Sequence, residues 1–289
     1  MKVLDVMIIP ATVPQDKQKE FIANYKRIVN EHNKLLLFAV DHKIEHMHDD
    51  FVGPDFVEEI QTTEHIFAIA NNLPCGALAT HLGLIARHAQ AYKNISYIVK
   101  MNAKTHAVPK SAKDPFSKSL WTIDDVMQLK RQGINIAGIG YVLYVGSEFE
   151  ASMLQEAAQL IMQAHAQGLV TIIWAYARGK HISNEHAGQI IAGAAGVAHS
   201  IGADFIKLQN PMHADGSIDF ASLPMIQAAA GNSGIIFAGG ALENPEILQQ
   251  RISSYMKAGI AGVAVGRNLF QLPTKTAQER SKELATLLV

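Results

Sequence analysis

Short apolar runs of four to six residues recur along the chain, separated by longer amphipathic or alanine-rich segments. The runs are Leu35–Val40, Ala77–Thr80, Tyr97–Met101, Ile136–Tyr141, Val170–Trp174, Phe205–Leu208, Ile235–Ala238 and Gly262–Val265. They do not alternate strictly between polar and apolar residues, the pattern of parallel strands buried on both faces. Between them lie helical stretches such as Thr122–Gln132, Ser147–Gln167 and Asn184–Ile201. Eight strands alternating with helices, without a break in composition, predict a closed (β/α)8 TIM barrel, an α/β fold, rather than an open doubly wound sheet. Ahead of the first strand, Gln15–Asn30 reads as an extra N-terminal helix that covers the bottom of the barrel.

The length fits that reading. A barrel of this kind needs about 250 residues, and the 289 present predict a single domain over residues 1–289. Apolar residues make up 48% of the chain, enough for a large core. The formal charge of −1 argues against nucleic acid or an anionic membrane as a partner. No uninterrupted apolar stretch of membrane-spanning length occurs, and the N-terminus does not read as a signal peptide. One cysteine, Cys75, excludes an internal disulfide and fits a cytoplasmic location. The segment Ala103–Leu120 is long for a connection inside a compact domain. It reads either as a solvated surface loop or as a lid or subunit contact.

In this fold the chemistry sits at the C-terminal ends of the strands. The first strand ends in Asp41, the third carries Lys100, the fifth runs through Trp174 to Tyr176, and the sixth carries Lys207. Alternation puts Trp174 and Tyr176 on one face, and Lys207 on the face of Phe205 and Gln209. An ammonium among Phe205, Ile206 and Leu208 is costly to bury. Desolvation and a second cation, which Lys100 can supply, both favour the neutral amine. A neutral amine attacks a carbonyl and forms an iminium, an electron sink. A phenol and a carboxylate serve the proton transfers around it. The last two strands end in Gly239-Gly240 and Gly266-Arg267. Glycines admit an anion close to the backbone, and Arg267 adds a charged fork, so these turns read as a phosphate site.

Taken in order, the segments AVDHKIEH (39–46), YIVKMNAKT (97–105), GYVLYVGSEFE (140–150), IIWAYARG (172–179), GADFIKLQ (202–209), FAGG (237–240) and AVGRNLFQ (264–271) resemble the class I fructose-bisphosphate aldolases of the archaeal and bacterial type, in the DeoC/LacD-like aldolase superfamily. The 31-residue spacing from Tyr176 to Lys207 is also similar. The resemblance implies that Lys207 forms the Schiff base and that Tyr176 moves protons at the imine. It implies that Asp41 handles the substrate hydroxyl near the scissile bond, that Trp174 packs on the substrate, and that Lys100 helps keep Lys207 neutral. Gly239, Gly240, Gly266 and Arg267 are implied to hold a phosphate. The implied reaction needs no metal and no cofactor. Its substrate is a sugar phosphate, most readily fructose 1,6-bisphosphate, cleaved to dihydroxyacetone phosphate and glyceraldehyde 3-phosphate. A homo-oligomer, often a decamer of two pentameric rings, is implied as well.

The chain departs from the usual motifs at three places. DHGIEHGP becomes a sequence with Lys43 for the first Gly and Met47-His48 for Gly-Pro. GGPK becomes Gly240-Ala241-Leu242, without its lysine, and a proline of the fifth-strand motif is Ala177. Lys43 is a candidate for the cation missing from the seventh strand. The run His42–His46 also fits the H-x-x-E-H pattern of some zinc peptidases, but directly after a strand it reads as a polar loop crossing the barrel mouth. An adventitious metal on His42, His46, His48 and Asp49 is a lesser reading. Alternatives that keep the lysine are an acyltransferase (thiolase) acting on a phosphorylated diketone with coenzyme A, and an aldol-type synthase. A barrel that has lost activity remains a third.

Overall fold

The computed structural model describes residues 7–48, 51–52, 58–108 and 113–289. Eight parallel strands close into a barrel: β1 Leu35–Ala39, β2 Ala77–His81, β3 Tyr97–Lys100, β4 Ile136–Val145, β5 Val170–Ala177, β6 Phe205–Leu208, β7 Gly234–Ala238 and β8 Gly262–Val265. Each pairs with its sequence neighbours, and β1 pairs with β8 to complete the ring. The predicted (β/α)8 barrel is therefore the fold. β4 and β5 run several residues beyond their apolar runs and carry Tyr144 and Tyr176 above the rim of the shorter strands.

The extra N-terminal helix, Gln18–Ile28 after a 3-10 turn at Gln15–Lys17, lies under the barrel as expected. Its Tyr25 ring stacks on Phe205 at the start of β6, with centroids 5.3 Å apart. Its Asn24 amide donates to the Gly168 carbonyl ahead of β5. Beside it, His165 and Asp204 form a buried pair 3.1 Å apart. Asp204 also accepts from the backbone N–H and hydroxyl of Thr171, and the other His165 nitrogen meets the Thr12 hydroxyl.

The segment after β3 is not simply a solvated loop. Asn102–Ala103 and Lys118–Ser119 form a short antiparallel ribbon. Asn102, fully buried, exchanges hydrogen bonds with the Val142 backbone and donates to the Ser117 carbonyl. The Asp114 carboxylate accepts from the backbone of Glu148 and Lys180, pinning the segment to the loops after β4 and β5. Among the described residues no helix is long and apolar enough to cross a membrane.

Candidate active site

Strand register decides which side chains meet at the mouth. Directly paired residues of neighbouring parallel strands project to the same side. Lys207 pairs with Trp174, Lys100 with Gly140, and Tyr144 with Tyr176. These ladders deliver Lys100, Tyr144, Trp174, Tyr176 and Lys207 from four strands into one space. The Trp174 ring is near both cations, 5.0 Å from the Lys207 ammonium and 5.5 Å from that of Lys100. Gly140 makes room for it, because a Cβ there would overlap the six-membered ring of the indole. The Trp174 N–H is buried with no hydrogen-bond partner among the described residues.

Asp41 follows β1 and starts a one-turn helix, His42–Glu45. This turn replaces the polar loop expected here, and it brings in two groups that motif reading left without a role. Glu45, buried, accepts from the Lys100 ammonium at 3.2 Å and from the Tyr144 hydroxyl at 3.4 Å. Lys100 also donates to the Asn102 carbonyl and lies 3.9 Å from Asp41. The His42 ring is wedged against Phe270 and His46, and its Nδ1 is 3.5 Å from Asp41. His46 in turn faces His106 of the segment after β3, at 4.8 Å between centroids. Among the described residues no set of three or more His, Cys, Asp or Glu side chains is arranged to hold a metal ion; Asp49 lies outside them.

Electrostatics sorts these groups into roles. Burial lowers the Lys207 pKa to about 8, aided by Lys100 and Arg267 and opposed by Asp41 and Glu45. At pH 7 such a shift raises the neutral fraction from roughly 0.03% to roughly 10%. Burial pushes the Asp41 carboxyl up, but the Lys207 and Lys100 ammonium groups, joined by His42 and His81 only once acid protonates those rings, outweigh it and hold the group ionised. Tyr176 is driven well above the usual phenol range by desolvation and then by Asp41; the Arg178 guanidinium, 5.1 Å from its ring centre, opposes. Burial takes His42 down to about 3. The mouth thus holds a lysine that can lose its proton, a carboxylate that stays charged and a phenol that keeps its proton.

The glycine turns sit at the ends of β7 and β8. Gly240 has φ of 77°, a left-handed conformation suited to glycine. Gly266 packs so closely on the Ala39 carbonyl and His42 that a side chain would collide with both. Arg267 opens the helix Arg267–Phe270 and is near enough to Lys207 and His42 to lower their pKa values. Asn268, fully buried, donates to the Ala241 carbonyl and accepts from the Glu243 N–H, so it ties the two turns together. The Lys43 ammonium lies 3.8 Å over the Phe51 ring, which stacks on Phe270. That places Lys43 beside the segment that follows β8. Met47 stands where the resembled motif has glycine, and its φ of 59° keeps the left-handed turn without that freedom.

The model of the DeoC/LacD family aldolases matches residues 35–272, the whole barrel from β1 to the turn after β8. The chain belongs to that family. It is 42% identical over 271 residues to a Methanocaldococcus jannaschii protein named fructose-bisphosphate aldolase/6-deoxy-5-ketofructose 1-phosphate synthase, covering 93% of this chain and 86% of that one. The solved fructose-bisphosphate aldolase of Slackia heliotrinireducens superposes with a TM-score of 0.94 at 39% identity, over 98% of this chain and 90% of that one. An archaeal fructose-1,6-bisphosphate aldolase, solved with its catalytic lysine bound to the carbinolamine intermediate, superposes at 0.77 with 26% identity, over 93% and 99% of the two chains.

Proposed function

We propose that this chain is a class I aldolase that reversibly cleaves a phosphorylated ketose, fructose 1,6-bisphosphate in the first place, through a Schiff base on Lys207. The observation that carries the reading is the buried Lys207, its pKa near 8, against Trp174 and within the field of Asp41 and Lys100. The amine adds to the C2 carbonyl. Tyr176, still protonated, delivers the proton with which the carbinolamine oxygen leaves as water, and an iminium remains. Asp41 accepts the C4 hydroxyl proton, the C3–C4 bond breaks, and its electrons move into the iminium. The aldehyde leaves, the enamine is protonated at C3, and water returns the amine. Gly239, Gly240, Gly266 and Arg267 hold the phosphate next to C1. Lys100 limits the protonation of Lys207 while Glu45 balances its own charge. A cleft of about 180 Å³ beside Tyr176 is lined by Lys104, His106 and Arg178, among others. It supports a substrate with a second phosphate.

A second reading is condensation of the same enamine with another aldehyde, to give a ketose phosphate such as 6-deoxy-5-ketofructose 1-phosphate. The double name of the Methanocaldococcus jannaschii relative favours it. Both readings share the lysine adduct, so one experiment tests both. Borohydride reduction in the presence of dihydroxyacetone phosphate, followed by peptide mass spectrometry, is expected to place the adduct on Lys207. Lys207→Met is expected to abolish both the adduct and turnover. An adduct elsewhere, or turnover surviving in the variant, would remove the Schiff-base assignment.

A further inference from the structure

β2 and β6 face each other across the ring, four strands apart by either route. The proposed aldolase reading fixes the ketone carbon to Lys207 on β6 and its phosphate to the adjacent ends of β7 and β8. The rest of the substrate then extends toward the opposite wall, made by β1, β2 and β3. Asp41 and Lys100 stand at the ends of β1 and β3. His81 ends β2 between them.

His81 pairs directly with Lys100 in the β2–β3 ladder, so its ring enters the mouth on the same side as the Lys100 side chain. It is 2% exposed, and among the described residues neither ring nitrogen has a hydrogen-bond partner within bonding geometry. The Asn102 backbone comes near enough to raise its pKa without completing one. The Trp121 ring packs against it at 5.9 Å. Burial and then Lys100 lower its pKa to about 4, against Asp41 and Asn102, so the imidazole is neutral at pH 7. A neutral imidazole offers one N–H donor and one lone pair. Leaving both unmet in a dry interior is costly, and a phenylalanine of similar size would escape that cost. Among the described residues nothing completes these hydrogen bonds; a substrate with two adjacent oxygens would.

We propose that His81 is a specificity-determining residue that hydrogen-bonds the aldehyde half of the substrate, favouring aldehydes with an oxygen on the carbon next to the carbonyl. Its N–H donates to one of the two oxygens and its lone pair accepts from a hydroxyl. The selection acts on the fragment released in cleavage or added in condensation, and leaves the ketone half untouched. The inference rests on the aldolase reading.

The test is condensation of dihydroxyacetone phosphate with two acceptors that differ in one hydroxyl, glyceraldehyde 3-phosphate and 3-phosphopropanal. The wild type is expected to prefer the first in kcat/KM by tenfold or more. His81→Phe is expected to lose that preference through glyceraldehyde 3-phosphate alone, and to trap dihydroxyacetone phosphate on Lys207 as well as the wild type does. His81→Gln keeps a donor and an acceptor and is expected to retain part of the preference; it also serves if the Phe variant does not fold. Unchanged selectivity in a folded variant, or equal loss with both acceptors, overturns the proposal. No adduct in the wild type would instead overturn the aldolase reading beneath it, a result that the selectivity ratio cannot mimic.

Discussion

Both ends of the barrel bury ionisable side chains, and they treat them in opposite ways. At the bottom, Asp204 accepts from Thr171 twice and pairs with His165, whose other nitrogen meets Thr12. Both nitrogens of that histidine are engaged within the protein. At the mouth, both nitrogens of His81, the Nδ1 of His42 and the N–H of Trp174 are buried without a hydrogen-bond partner among the described residues. A closed network holds elements together. A network with open valences costs stability and is retained where something else completes it. In this barrel the histidine with both nitrogens engaged lies at the bottom and the one with both unmet lies at the mouth.

Substitutions can break or sharpen this contrast. The largest effect after loss of Lys207 is expected from Tyr176→Phe, which removes the proton donor and should lower kcat by about two to four orders of magnitude. Its melting temperature should barely move; a rate near that of the wild type would take Tyr176 out of its role. At the bottom the pattern reverses. Asp204→Ala leaves the Thr171 and His165 donors unmet, and is expected to cost about 3 kcal/mol in urea unfolding. Its kcat/KM should match the wild type below the transition, and a selective loss of activity would undo the division between the two ends.

A subtler probe is the pH profile. Lys207 must be neutral to attack, so kcat/KM should rise with pH through about 8. Lys100 is among the groups that lower this pKa. Lys100→Met also leaves Glu45 without its cation, a change in the same direction. The acid limb is therefore expected to move to higher pH, and movement to lower pH would show that Lys100 does not act by charge. The smallest effect concerns Met47, a non-glycine residue in the left-handed region. Met47→Gly is expected to relieve backbone strain of about 1 kcal/mol, read as a raised midpoint in chemical unfolding. A lowered midpoint would mean that the Met47 side chain contributes more than its backbone costs.

The barrel was legible in the sequence because parallel strands buried on both faces write themselves as apolar runs. The runs failed where strands outgrow the core. Tyr144 lies past the apolar stretch of β4, and the ladder to Tyr176 reveals that the strand continues. Asp41, Lys100 and Lys207 stood out because charge is rare at strand ends. Glu45 and His81 did not, since each takes its meaning from partners far along the chain: Lys100 and Tyr144 for the one, Lys100 and Asp41 for the other. The turn His42–Glu45 looks like a loop in the sequence because its four residues are too few to show helical periodicity.

Gly140 and Trp174 form one fitted unit split between two strands. The indole occupies the volume that any side chain at 140 would need. An evolutionary exchange at either position therefore depends on the other. A larger residue at 140 would be tolerated only after the tryptophan has gone, and a smaller residue at 174 leaves a hole that position 140 could then fill. Descent through single substitutions crosses a less fit intermediate in both directions. Among diverging relatives the pair should therefore be inherited or replaced together, and the ring that both cations approach is given its place by a residue with no side chain of its own.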